Sequence, residues 1–384
     1  MDFSATRMGA CRRLAALLLG GLAFAAGAAD CRPDALVYVG SEQDGIRALR
    51  FDACAGTLAP LDGTAAAVRK PRWLLQHPTL PVLYATAEGA GSDQGLVLAY
   101  TFDERSGALA PLGQAGSGGA GPTHLAIDAA APALLVANFG AGTVSSLALQ
   151  ADGRAGPLRS TLQDSGSGPH RRQAGPHAHG VALDPSGRFA LVADMGADRV
   201  FVYGFDRASQ QLRSTAEGGA PCAWAAPAGS GPRRAVFGAD GRTVYVLGEL
   251  SAQLTVLRWD GAAGCLAPLQ ALELSESGFQ GQRSASELAL GRDGRFLYVA
   301  DRGAHQLLVY RVAADGTLEL AQRLPSGGTG PWAFDIDASG RWLLVAHHGS
   351  NGLALLAIDP ASGRLAPAGP ALPVPAPFSV LFVR

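Results

Sequence analysis

The chain has 384 residues, 48% of them hydrophobic, with 51 glycines, 24 prolines and a formal net charge of -1. That is ample apolar material for a large core, and so much glycine and proline calls for many turns rather than long helices. Near-neutrality without a lysine-rich run leaves no electrostatic footprint for nucleic acid or an anionic membrane, and neither is expected as a partner.

The amino end reads as an export leader. Arg7, Arg12 and Arg13 precede the apolar run Leu14 to Ala26, and Ala26-Gly27-Ala28 fits the small-x-small rule for cleavage. Residues 1–28 are therefore expected to be removed, leaving 29–384 as a single periplasmic or secreted domain. The apolar run is too short to serve comfortably as a membrane anchor, and no later segment is long enough.

From Pro71 onward one phrase returns about every 50 residues. A Pro-led start, an apolar strand, an Asp-x-Ser/Asp-Gly-Arg turn and a second strand ending in a polar residue recur. The copies begin at Pro71-Arg72-Trp73, Pro122-Thr123-His124, Pro176-His177-Ala178-His179, Pro232-Arg233-Arg234, Ser286-Glu287 and Pro331-Trp332. In the clearest copy, strands are expected at Glu287–Leu290, Phe296–Ala300, Leu307–Val312 and Leu318–Ala321, with glycine-containing turns between them. That is a four-stranded antiparallel blade of an all-β propeller.

The two ends complete the ring. Leu36–Gly40 reads as a second strand lacking a first, and Phe378–Val383 as a first strand lacking a second, so their pairing gives a seventh blade and removes the open edges. After cleavage four cysteines remain. In an oxidising compartment Cys31 with Cys54 would close a loop in the first blade and Cys222 with Cys265 one in the fifth; the alternative is four thiols.

Strands A and B of a blade are antiparallel, so the start of A and the end of B share one face of the disc. The starts supply Arg72, His124, His177, His179, Arg233, Ser286, Glu287 and Trp332. The ends supply Glu88, Asn138, Asp194, Glu249, Asp301, Arg302, His347 and His348. Polar groups from six blades thus converge at one mouth of the channel, whereas the other mouth has only repeated hairpin turns.

Several of these segments resemble the seven-bladed lactonase family, which includes propeller-type 6-phosphogluconolactonases and carboxymuconate-lactonising enzymes. The segments are Gly175–Val181, Asp184–Arg188, Gly231-Pro232-Arg233, Gly248–Ser251, Ala285-Ser286-Glu287 and Asp301-Arg302-Gly303. The resemblance covers nearly all of the mature chain and implies catalytic roles for His179, Arg233, Glu249 and Arg302. Departures are Arg234 where the family often has His, Trp332 where an Arg commonly follows Pro, and His347-His348 in place of an Asn-Gln-like pair.

Opening a lactone needs a base for the attacking water and donors for the developing oxyanion. His179 is the expected base, with Glu249 orienting it or taking the proton itself, and Arg233 and Arg302 hold the oxyanion or the sugar hydroxyls. His177, Asp194, Glu287 and Asn138 are expected to bind substrate or support the site. The bland alternatives are a structural histidine, and an Arg233–Glu249 salt bridge that only braces strands.

Two residues apart on a strand, His177 and His179 share a face as metal ligands do, but no His-Glu-x-x-His or cysteine pair at zinc spacing accompanies them. Neither metal nor cofactor is expected. Gly116–Gly121 matches a dinucleotide pattern but leads into a strand, so it reads as an inter-blade linker. The polar loop Ser165–Arg172 either covers the mouth or is disordered.

The expectation is therefore a monomeric hydrolase of a six-carbon aldonolactone. Export and the missing arginine at Trp332 favour the unphosphorylated lactone. A carboxymuconate-type cycloisomerase, with Arg233 and Arg302 clamping carboxylates, and a non-catalytic binding platform are the rivals.

Overall fold

The computed structural model describes Met1 and residues 34–89, 94–128, 130–215 and 223–383. The leader, Cys31 and Cys222 lie outside the described residues. Among the described residues every regular element is a β-strand, and the strands form seven antiparallel sheets. The chain ends close the ring as expected: Ala35–Ser41 pairs with Pro377–Phe382, with Val37 opposite Phe382 and Val39 opposite Val380.

Blade one is completed by Gly45–Asp52 and Thr57–Pro60. The next six blades follow in chain order, each running from an inner strand A outward. Their inner strands are Leu74–Gln76, Pro122–Asp128, Ala178–Leu183, Pro232–Phe237, Ala285–Leu290 and Pro331–Ile336. Neighbouring inner strands touch one another around a closed circle that includes Pro377–Phe382. Blades four and seven each gain a short extra pairing, by Trp224–Ala225 and Leu372–Pro373, on their third strand.

One apolar cluster fills each of the seven gaps between neighbouring blades. Both faces of each sheet are thus packed, which is why the second strands are apolar almost without alternation. A tyrosine staple recurs across four gaps. The hydroxyls of Tyr38, Tyr84, Tyr245 and Tyr298 donate to the carbonyls of Gly107, Gly153, Gly316 and Gly363 in the next blade, at 3.0, 2.6, 3.1 and 3.0 Å. Gly363 has φ of 69°, and a Cβ there would lie 2.3 Å from the Phe296 ring, so the turn accepts only glycine.

Cys54 and Cys265 are both disulfide-bonded. The Gly116–Gly121 segment joins blades two and three, turned by Ser117 Oγ donating to the Gly119 carbonyl at 2.8 Å.

Candidate active site

Strand A does not enter its blade in simple register. In six blades its first residues pair with strand B through a β-bulge, and the extra residue is Thr123, His179, Arg233, Ser286, Trp332 or Phe378. A bulge bends the strand and re-aims the inserted side chain. Five of these six side chains, all but Ser286, line one pocket together with Arg72, Trp73, Arg234, Glu287 and Ala333. The repeated backbone irregularity therefore delivers the residues in which the copies differ to a common place.

Glu249 organises the adjoining charge. It follows strand B of blade five and its side chain is 2% exposed. Its Oε2 accepts from Arg233 Nη1 at 2.6 Å, and its Oε1 accepts from Arg302 at 3.0 Å and from Arg172 at 2.7 Å. Burial opposes its ionisation, but Arg233, Arg302, His179 and Arg172 outweigh that and hold its carboxyl well below the usual carboxylate range. Arg302 is fixed further by Ser284 Oγ, and its guanidinium lies 4.7 Å from the Trp332 ring centroid. Arg233 is anchored through Nε to the Ser286 carbonyl, and Ser286 Oγ donates to the Pro331 carbonyl at 2.7 Å.

Arg233 Nη1 also contacts His179 Nε2. Guanidinium has no acceptor, so Arg233 is the donor and the imidazole proton resides on Nδ1. Burial, reinforced by Arg233, pushes the His179 pKa well below the ordinary imidazole value and keeps the ring neutral. With Nε2 accepting from Arg233 and the proton on Nδ1, neither ring nitrogen of His179 has a free lone pair in this arrangement for the base role expected from the sequence. Its Nδ1 is buried without a partner.

The remaining expected residues divide between pocket and scaffold. Glu287 faces the pocket and is the one carboxylate in its lining; it accepts from Arg234 Nε at 3.1 Å. His177 stacks on Phe139 at 4.5 Å, and its Nδ1 lies 2.9 Å from the Phe139 carbonyl, while Phe139 meets the His179 ring edge-on at 5.3 Å. Asp194 Oδ1 accepts from the backbone N–H of His177 and of Ala197, both at 2.8 Å, and so fixes the approach to strand A. Asn138 gives its amide to the Ser117 carbonyl, Thr143 and Ser145 inside blade three and does not line the pocket.

His177 lies just before the strand Ala178–Leu183 and the bulge falls at His179; both rings pack on Phe139, but only His179 lines the pocket. Among the described residues no three His, Cys, Asp or Glu side chains converge as metal ligands. His347 and His348 point apart: His347 is buried against Ser326, and His348 stacks on Phe378 and reaches Glu42 at 3.2 Å.

Two participants escaped sequence reasoning. Arg172 comes from the polar loop, which is ordered over the mouth by Gln173. The Gln173 amide donates to the Met195 carbonyl at 2.8 Å and to Asp198 at 2.7 Å. Arg234, noted only as a departure, crosses the channel: its Nη1 donates to the His179 carbonyl at 2.9 Å and its guanidinium covers Trp73 at 4.4 Å.

The family model described as lactonase, 7-bladed beta-propeller matches residues 36–382. A 6-phosphogluconolactonase of Bacillus subtilis is 29% identical over 321 residues, 83% of this chain and 89% of that protein. The structure of a periplasmic gluconolactonase from Pseudomonas aeruginosa superposes with a TM-score of 0.83 at 33% identity, covering 91% of this chain and 99% of that one. A putative 6-phosphogluconolactonase from Bacteroides fragilis gives 0.82 at 26% identity, covering 92% and 98%. With its closed ring, its bulge-directed mouth and a family match spanning almost the whole propeller, the chain belongs to the seven-bladed β-propeller lactonase family.

Proposed function

We propose that the chain hydrolyses a six-carbon sugar lactone with water at the His179–Arg233 mouth, outside the cytoplasm. The observation that carries this reading is the unpartnered, buried Nδ1–H of His179 beside two arginines bound to one glutamate. As the ester carbonyl is attacked, negative charge grows on its oxygen. A preorganised neutral donor backed by guanidinium groups stabilises that charge without reorganising.

The proton of the attacking water goes to Glu287, the carboxylate that faces the pocket, and from there to the ring oxygen as the ester C–O bond breaks, which gives the ring-opened hydroxy acid and restores the carboxylate. Glu287 accepts on both oxygens from the one Nε of Arg234, whereas Glu249 is bound by three guanidinium groups; Glu249 is the poorer proton acceptor, and its part is to hold Arg233 and Arg302 in place. Trp332 and Phe378 supply apolar faces for the sugar ring. The pocket itself is narrow: about 310 Å3 is free of atoms, open solvent included, but the centre of a water-sized sphere has only about 20 Å3 to move in, room for one water. The sugar ring therefore sits at the opening or displaces the partly exposed rim residue Arg72, whose side chain is 30% exposed.

Export supports a lactone without phosphate, because sugar phosphates are made inside the cell. The leader-like residues 1–28 and the relation to a periplasmic gluconolactonase support that location. Loss of an arginine at Trp332 no longer bears on the choice, since Arg72, Arg233 and Arg234 line the same pocket. Hydrolysis of glucono-1,5-lactone and its 6-phosphate by the purified exported form tests the reading. Preference for the free lactone is expected, and preference for the phosphate ester contradicts it.

A further inference from the structure

The loop that carries Arg172 to the mouth is closed at its base by an acid pair that the hydrolytic step does not use. Asp164 stands just before the loop 165–176 and His177 just after it, and both meet Asp194 at the end of strand B of blade four. Asp194 Oδ1 accepts the His177 N–H at 2.8 Å, and the Asp164 and Asp194 carboxyls hydrogen-bond each other. Ionised carboxylates only accept, so one of the two carries a proton. Asp164 Oδ1 takes the Tyr203 hydroxyl, while Asp164 Oδ2 and Asp194 Oδ2 are both buried with no N–H or hydroxyl partner, which puts the proton on Asp164 Oδ2. Burial and then Asp194 push the Asp164 carboxyl up to about 9, so the proton is kept at neutral pH and lost as pH rises through 9.

Other gaps between blades make the same join without a second acid. Ser275 Oγ donates to Asp301 at 2.9 Å where blade five leads into blade six, and Ser326 Oγ lies 2.9 Å from His347 Nε2 where blade six leads into blade seven. A hydroxyl at Asp164 would therefore hold the linker equally well. A carboxyl there makes a joint that holds only while protonated, because two carboxylates side by side in a buried setting repel. The titratable groups facing Asp164 are Asp194 and Tyr203, both on blade four, and blade three presents the uncharged Gly142 carbonyl to its N–H at 3.0 Å. Nearby, Asp198 is taken up by Gln173 and by the N–H groups of Gly229 and Gly231, and the His177 ring lies on Phe139.

We propose that Asp164 and Asp194 form a proton-dependent clasp at the base of this loop, which keeps Arg172 on Glu249 while Asp164 is protonated and lets the loop lift in alkali. Asp194 Oδ1 also accepts the Ala197 N–H at 2.8 Å and so shapes the turn 194–198. The Met195 carbonyl and Asp198 of that turn hold Gln173, the neighbour of Arg172, whose partly exposed side chain reaches Glu249 at 2.7 Å. The two acids are thus positioning residues that act through Arg172. Their bearing on turnover rests on the lactonase reading above; the clasp itself does not.

Limited digestion with trypsin tests the clasp without reference to activity, because the loop contains Arg171 and Arg172. The purified protein without residues 1–28 is digested between pH 7 and pH 10, with rates normalised at each pH to cleavage of a small arginine amide. Mass spectrometry counts cuts after Arg171 and Arg172 against those after other arginines. In the parent protein the loop cuts should rise about tenfold or more between pH 7.5 and 9.5, following the ionised fraction of Asp164, with the other sites unchanged. Asp164→Asn and Asp194→Asn each supply a permanent donor between the two side chains, so in both the loop cuts should stay level. A level response in the parent protein, an equal rise in the variants, or a rise at all sites together overturns the clasp. Kinetics gives the second readout: kcat/KM for glucono-1,5-lactone, corrected for spontaneous opening, should fall above about pH 9 relative to pH 7 in the parent protein and not in Asp164→Asn. Identical alkaline profiles overturn the positioning role. Absence of turnover in both forms overturns the lactonase reading, and the digestion then decides the clasp by itself.

Discussion

Arg233 donates through one nitrogen to both Glu249 and His179, and the second contact fixes the imidazole proton on the far side of the ring. On the function proposed above, a histidine whose Nε2 is already bound serves as a donor to the developing oxyanion. His179→Ala should therefore lower kcat by about 10²–10³, the usual cost of one oxyanion donor, with KM little changed. Steady-state kinetics on the lactone, corrected for spontaneous opening, measures it.

The same contact shapes the pH profile. His179 is held neutral by burial and by Arg233, with its pKa well below 6.5. The rate profile should accordingly show no inflection from a histidine base between about pH 5.5 and 7.5. Glu287→Gln should lower kcat by roughly 10²–10⁴ with a small change in KM, as loss of a proton acceptor does. An inflection near 6.5 that vanishes in a His179 variant would return the base role to that residue.

Glu249→Gln tests the charge framework separately from the chemistry. The substitution keeps the shape but leaves Arg233 and Arg302 buried beside a neutral amide. Breaking a buried ion pair from one side costs about 3–5 kcal/mol, and thermal unfolding should show a corresponding fall in Tm. Unchanged stability would mean that the cluster is better solvated than its burial implies.

A second buried cluster governs stability against pH. Burial and then the neighbouring Asp194 push the Asp164 carboxyl up to about 9, and Tyr203 donates its hydroxyl to Asp164. The folded state therefore keeps a proton that the unfolded chain loses near pH 4. This contribution is fully present below pH 4 and is lost as pH rises towards 9. Asp164→Asn carries the donor permanently, so its Tm advantage over the parent protein should grow from pH 5 to pH 9. A constant difference across that range would refute the retained proton on Asp164.

The disulfides give a chemical check. Cys54 and Cys265 are disulfide-bonded, and the expected partners are Cys31 and Cys222. Mass spectrometry of the unreduced protein, prepared without residues 1–28 under oxidising conditions, should find no alkylatable thiol and peptide links Cys31–Cys54 and Cys222–Cys265. Other links, or free thiols, would correct the pairing.

The ring and its functional face were legible because they follow from periodicity. A 50-residue repeat, a split blade at the chain ends and antiparallel A and B strands are local or arithmetic properties. That reasoning brought His179, Arg233, Glu249, Arg302 and Glu287 to one mouth, where the structure has them. It put Asn138 at the same mouth, and a position at the end of strand B gave no sign that its amide is taken up by Thr143 and Ser145 of blade three and by the Ser117 carbonyl of the preceding linker. The bulge was invisible because it inserts one residue without changing the apolar pattern, yet it sets where His179 and Trp332 point. Arg172 was missed for a different reason: a loop's contact with Glu249, 77 residues away, leaves no periodic trace.

The central claim is that the donors at this mouth open a sugar lactone. A pH-stat assay follows acid release from glucono-1,5-lactone with the purified protein without residues 1–28, its Arg233→Ala and His179→Ala variants, and buffer alone. The account predicts release well above the buffer rate for the parent protein and a loss of most of that excess in both variants. Release at the buffer rate by the folded parent protein on this lactone and its anionic relatives, or full activity in both variants, would contradict it.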